Sequence, residues 1–254
     1  MAATTPLTAR PEDESAAGAP TVVAVERGGD GTRPVALETG TFLAPCVMSR
    51  PGSALRVALT GVRAALCAGD DLELRVEVGP GAELDLLDPN GTLAYNARGG
   101  AAAWRARVTL AEGARMTWYE PSFVVADGAD VTRDVAVDLA SGAELLWRET
   151  LVLGRTGERG GALRATTRVE YAGREMLVED LDARDPDERE LPGLVGSARV
   201  LGQVGLFGRV PDGPTGPSRL DLAGPGALWR SLARRTFRAD AEMDPVWRAW
   251  GGEV

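Results

Sequence analysis

Val76-Glu77-Val78-Gly79-Pro80-Gly81-Ala82-Glu83-Leu84-Asp85-Leu86 sets a pattern that two later segments repeat. They are Val108-Thr109-Leu110-Ala111-Glu112-Gly113-Ala114-Arg115-Met116-Thr117-Trp118 and Val137-Asp138-Leu139-Ala140-Ser141-Gly142-Ala143-Glu144-Leu145-Leu146-Trp147. Each holds an alternating strand, a short link, Gly-Ala and a second alternating strand. Alternation at period two puts Val76 and Val78, Val108 and Leu110, and Val137 and Leu139 on one buried face. Glycine supplies the positive φ of a tight turn, and alanine is small enough to pack beneath it. Each unit reads as a hairpin-like strand pair that cannot bury its own face. Stacking the units gives layered or coiled β-sheets with a continuous core. The flanking segments leave the pattern, so the expectation is a mainly all-β fold and not a pure repeat solenoid.

Outward from these units, further strands are predicted over 22–26, 35–38, 55–59, 145–153, 163–171, 175–181 and 197–207. Residues 1–20 are rich in Ala, Thr, Pro and acids without periodicity, and are expected to form a flexible tail. The run Asp182-Ala183-Arg184-Asp185-Pro186-Asp187-Glu188-Arg189-Glu190 reads as a solvated loop. It lacks the spaced ligands and central glycine of a calcium loop. Leu228, Trp229, Leu232 and Phe237 stand at near-helical spacing after Pro225-Gly226, so a small C-terminal helical element is predicted over 226–240. Residues 21–254 then make a single β domain.

Composition excludes several function classes. The chain has 254 residues, a net charge of −9 and no histidine. An acidic chain is a poor non-specific partner for nucleic acid or anionic membrane. Without histidine there is no Ser-His-Asp triad and no HExxH zinc site. Gly79-Pro80-Gly81 and Gly99-Gly100 have no Gly-Lys-Ser/Thr behind them and are not phosphate loops. Cys46 and Cys67 lack CxxC spacing and are expected as free, buried thiols. No apolar run reaches the ~20 residues of a membrane span. The N-terminus has no secretory pattern, so the cytoplasm is the expected location.

Several motifs together resemble the UreD (UreH) family of urease accessory proteins. They are Gly69-Asp70-Asp71-Leu72 with the strand after it, Trp118-Tyr119-Glu120-Pro121, Leu145 through Gly154-Arg155-Thr156-Gly157-Glu158, and Leu228-Trp229-Arg230-Ser231-Leu232. The resemblance runs over about residues 35–240. In one family segment the chain keeps Pro89, Thr92 and Tyr95 but departs at most other positions. The resemblance implies an all-β accessory protein that is no enzyme and binds no cofactor tightly. It implies UreF, UreG and urease subunits as partners, and transient passage of Ni²⁺ through the interior to apo-urease.

The candidate residues each read in two ways. Asp70 follows a glycine before a strand, and either caps that turn or lines the passage implied by the family. Glu120 ends an apolar strand, and either faces a polar channel or sits on a wet rim. Glu158 matches the family's Gly-Arg-x-x-Gly-Glu segment, within a stretch that also reads as a flexible loop. Oxygen ligands release nickel more readily than imidazole or thiolate, which suits a conduit better than a store. Trp229, Arg230 and Phe237 serve core packing or partner contact. An alternative is a UreD-like fold recruited as a small-molecule enzyme, with Asp70 or Glu120 and Tyr95 in acid–base roles.

Overall fold

Each Gly-Ala pair turns the chain out of one sheet and into another. The computed structural model describes residues 18–49 and 52–253. Of the tail expected over 1–20, residues 1–17 lie outside the described residues. The N-terminal strands are β1 (Thr21–Gly28), β2 (Gly31–Glu38), β3 (Leu43–Met48) and β4 (Leu55–Gly61). The repeated region supplies β5 (Asp71–Val78), β6 (Glu83–Leu87), β7 (Thr92–Ala94), β8 (Ala102–Leu110), β9 (Arg115–Tyr119) and β10 (Phe123–Val125). It continues through β11 (Asp130–Leu139), β12 (Glu144–Leu153) and β13 (Ala162–Tyr171). Then come β14 (Arg174–Asp182), α1 (Pro186–Arg189), β15 (Val200–Phe207), β16 (Arg219–Asp221), β17 (Gly226–Ala233) and α2 (Thr236–Ala249).

The first sheet has seven strands in the order β14-β13-β11-β8-β5-β1-β2. The second has ten, running β16-β17-β15-β12-β9-β6-β4-β3 with β7 and β10 beside that path. The pairs β5–β8, β8–β11 and β11–β13 are parallel, as are β4–β6, β6–β9 and β9–β12. Successive coils therefore stack, each giving one strand to each sheet. Antiparallel strands close both ends of the stack: β1–β2 and β3–β4 at one, β13–β14 and β12–β15–β17 at the other. Such ends protect a stack from open-ended pairing.

The repeated unit is thus a corner between sheets, and not the hairpin-like pair expected from sequence. Gly81, Gly113 and Gly142 take φ of +63°, +68° and +73°. Ala82, Ala114 and Ala143 donate back to the carbonyls of Gly79, Ala111 and Ala140 at 3.1, 3.0 and 3.1 Å. All three alanines are fully buried. The turn swings the second strand across the sandwich, where its partner is the same strand of the next coil.

The C-terminal end also differs from expectation. Residues 226–233 are strand β17, and the helix begins at Thr236. β17 lies between β15 and β16 with α2 packed on one side. β17 carries apolar residues at both parities, Ala227 and Trp229 on one face and Leu228 and the exposed Leu232 on the other, which imitates helical spacing. The true helix buries Ala239, Met243, Val246 and Trp247, one face of a 3.6-residue period. The charged run 182–190 is only partly a solvated loop. Asp185 caps α1, and Arg189 is buried, donating to the carbonyls of Gly160, Gly161 and Ala183. Cys46 and Cys67 are free but exposed. Cys46 stands on the edge strand β3, and Cys67 lies in the connection after β4, so neither reaches the core.

Candidate functional site

Extending each repeated unit by two residues reaches Asp88, Glu120 and Glu149, each seven positions past its corner glycine. Leu87, Tyr119 and Arg148, the residues just before them, are register partners across β6, β9 and β12. The ladder continues through the acids: Asp88 N–H donates to Tyr119 O at 3.0 Å, and Glu120 N–H to Arg148 O at 2.9 Å. Three successive coils therefore place a carboxylate at one position, at the strand spacing of about 4.8 Å. Two residues earlier stand Leu86, Trp118 and Trp147. The Trp118 and Trp147 rings stack at 5.2 Å, and Trp104 stacks on Trp118 at 6.5 Å. Stacked coils repeat side chains as ladders, so the apolar floor and the acid row share one cause.

Among the described residues, one guanidinium of the opposite sheet faces this row. Arg133 sits on the inward parity of β11 between Val131 and Val135, and is 1% exposed. Its Nη2 donates to Glu120 Oε2 at 2.8 Å, and its Nη1 lies 2.8 Å from Glu149 Oε2. The second contact is an ion pair without hydrogen-bond alignment, and Arg133 Nε has no hydrogen-bond partner among the described residues. Trp147 Nε1 donates to Glu120 Oε2 at 2.9 Å, and Gln203 Nε2 to Glu149 Oε1 at 2.6 Å. The guanidinium also lies 4.5 Å from the Trp104 ring centroid. The Glu120 and Glu149 side chains are 14% and 8% exposed. Burial pushes the Glu120 carboxyl up to about 7, against the pull of Arg133 and with help from the Glu149 charge. Burial raises Glu149 too, again against Arg133. Asp88 is also raised by burial, opposed by the N–H groups of Asn90 and Gly91 that its carboxylate accepts.

These residues stand between neighbouring spaces. A cavity of about 400 Å³ lies between the sheets at the β14/β17 end, with Arg133, Glu149, Gln203 and Arg230 on its wall. A narrow space of about 10 Å³, roughly one water in size, is walled by Asp88, Glu120, Arg133 and Glu149. A third of about 30 Å³ shares Asp88, Gly91 and Thr92 with the second and reaches Arg63 and Phe42. Three separate spaces, sharing walls pairwise, thus flank the acid row: the large one mainly apolar, the narrow one lined by the acids themselves.

Of the residues named from sequence, Glu120 is in this row. Asp70 accepts from Cys67 N–H at 2.7 Å and pairs with Arg63, the turn-capping arrangement. Glu158 ties its own loop, accepting from the N–H groups of Arg155 and Asp127, and the Arg155 guanidinium holds it down at about 2. Arg230 lines the large cavity and pairs with Glu179, Trp229 is half-buried against the α2 cluster, and Phe237 is exposed. Tyr95 is exposed over Arg155, and neither it nor Asp70 borders the space that Glu120 faces. Asp88, Arg133 and Glu149 were not singled out from sequence. Two signals carried them: the same offset from each corner, and a charge on the apolar parity of a strand. Among the described residues, no three Cys, Asp or Glu side chains converge to hold a metal ion.

On the outward face of the same strand, Arg148 is fully buried beneath α2. Its Nη1 donates to Asp244 at 2.5 Å and its Nη2 to Asp240 at 2.7 Å, with the Tyr119 ring 5.1 Å away. This cluster docks the helix on the second sheet. No helix among the described residues is long and apolar enough to cross a membrane.

The sequence model described as UreD urease accessory protein matches residues 23–254. The chain is 54% identical over 235 residues to urease accessory protein UreD 1 of Streptomyces griseus, covering 92% of each. It is 35% identical over 192 residues to urease accessory protein UreD 1 of Saccharopolyspora erythraea, covering 74% of this chain and 75% of that one. Against urease accessory protein UreD 3 of Streptomyces griseus the identity is 32% over 231 residues, covering 85% and 88%. A match over nearly the whole length, joined to a stacked β-fold, places this chain in the UreD family of urease accessory proteins.

Proposed function

We propose that this chain acts in the cytoplasm as a scaffold for urease maturation. It receives nickel from UreF and UreG and passes it through its interior to apo-urease, without catalysing a reaction. The observation that supports this reading most is the acid row Asp88–Glu120–Glu149, set along spaces that share walls across the sandwich. Carboxylates hold a borderline cation loosely, and successive sites let it move on. The three acids succeed one another along the stack, which favours hand-over above retention. Partner contact falls at the β14/β17 end, where Arg230 stands on the wall of the large cavity and Trp229 and Phe237 are close in the chain.

The test is co-purification with UreF and UreG, followed by nickel-dependent urease activation by wild type and Glu120→Ala. The expected result is an intact complex whose activation is strongly reduced. Full activation by a folded Glu120→Ala would overturn the conduit.

A further inference from the structure

We infer that Arg133 gates this file: its guanidinium is a resident stand-in cation, and a divalent ion passes only by displacing it into the large cavity. The inference rests on the conduit reading and adds the identity of the barrier. Arg133 and Glu149 are the residues common to the walls of the large cavity and of the narrow space. Their ion pair is therefore the partition between the two. Among the described residues, Arg133 is also the one basic side chain on the wall of the narrow space.

The guanidinium is poorly locked for a buried arginine. Arg189, whose role is structural, donates to the carbonyls of Arg159, Gly160, Gly161 and Ala183. Among the described residues, Arg133 makes one aligned hydrogen bond, to Glu120, and meets Glu149 by charge alone; its Nε is unpaired, as is that of Arg148, whose two terminal nitrogens are both aligned on carboxylates. Otherwise it rests near the rings of Trp104, Trp147 and Phe123 at 4.5, 5.7 and 5.8 Å. Ring faces attract a cation without fixing its direction. The side chain also has somewhere to go, because it borders a cavity of about 400 Å³ whose wall carries Glu179. In a close-packed core no such movement is open.

Charge then selects the cargo. Glu120 and Glu149 share one guanidinium. The guanidinium is itself monovalent and balances one carboxylate charge of the two, so a monovalent ion replacing it gains nothing, whereas a divalent ion neutralises both. Opening is thus favoured by a dication and resisted otherwise.

The full chain, co-purified with UreF for solubility, is titrated with Ni²⁺ alone by calorimetry as wild type, Arg133→Gln, Arg133→Lys and Arg133→Gln/Glu149→Gln. Removing the competing charge is expected to tighten Ni²⁺ binding on the order of tenfold or more in Arg133→Gln. Added Ni²⁺ should also raise the Tm of that variant more than that of wild type, a rescue that a merely structural arginine does not predict. Arg133→Lys keeps the charge but cannot bridge both acids, so it should fall between the two, and it decides the matter if Arg133→Gln does not fold. Unchanged or weaker binding in the single variants, or a gain that survives Glu149→Gln, overturns the gate. A defect of Glu120→Ala in urease activation without any gain at Arg133 removes the gate and leaves the conduit standing. Full activity of Glu120→Ala with a gain at Arg133 removes the conduit and with it the gate, leaving a divalent-ion site that Arg133 occupies.

Discussion

Arg148 and Glu149 are neighbours on β12 and face opposite ways, and each belongs to a cluster of one guanidinium and two carboxylates. Outside, Arg148 is held by Asp240 and Asp244, whose side chains are 41% and 42% exposed. Inside, Arg133 is held by Glu120 and Glu149, both almost wholly buried. The composition is the same, but solvent reaches the acids of only one cluster. Charges that keep part of their hydration cost little to assemble, and there they fasten a helix. Charges removed from solvent must be neutralised, by a partner or by a proton. The raised Glu120 carboxyl shows that the inner cluster is held against its desolvation.

The largest expected difference between the two faces is in stability. Arg133→Met leaves Glu120 and Glu149 facing each other in the interior, and should cost about 3–5 kcal/mol. Arg148→Met frees two acids that can rehydrate, and should cost about 1–3 kcal/mol for the lost charged hydrogen bonds. Urea denaturation of the two variants measures both values. Equal losses would erase the distinction between the faces.

A pH series sharpens the comparison. Unfolded, Glu120 titrates near 4.5, and folded it titrates at about 7. Between these values the folded chain holds the extra proton, so stability present below pH 4.5 is lost as pH rises toward 7. Glu149 is shifted the same way and adds to the loss. The slope from one proton is at most about 1.4 kcal/mol per pH unit. Glu120→Gln should flatten the profile, while Arg148→Met should shift it down and keep its slope. A Glu120→Gln profile as steep as wild type would place the proton elsewhere.

How much of this was legible in the chain depends on which pattern carried it. The corners were legible because glycine and buried alanine mark them three times, and the β class followed from the alternation around them. That the corners join two sheets was not, since a turn glycine serves a hairpin and a sheet-to-sheet corner equally well. Glu120 was found through a motif, whereas Asp88 and Glu149 needed the repeat to be read two residues further. Arg133 was visible as a charge between Val131 and Val135 on the buried parity, an unfavourable placement that functional sites tolerate. β17 was hidden by apolar residues at both parities: Ala227 and Leu228 are both buried at its start, and the exposed Leu232 near its end completes a helix-like spacing. Asp70 and Glu158 fit the family's motifs, yet both carboxylates are occupied with backbone N–H groups of their own turns.

Salt offers the smallest effect and the most direct view of access. The coupling between Arg148 and Asp244, obtained from a double-mutant cycle with Arg148→Met and Asp244→Asn, should be about 1 kcal/mol at low salt. In 1 M salt the screening length falls to about 3 Å, and this coupling should drop to roughly half. The coupling between Arg133 and Glu149, from Arg133→Met and Glu149→Gln, should fall by less under the same change, because both side chains are almost wholly buried and border open space on the side of the large cavity. If the inner coupling falls as far as the outer one, small ions surround the pair on both sides while Arg133 is in place. The guanidinium would then be an ordinary buried counter-charge, and the barrier in the file would have to lie elsewhere, at the mouth beside Arg230 or at the Asp88 end.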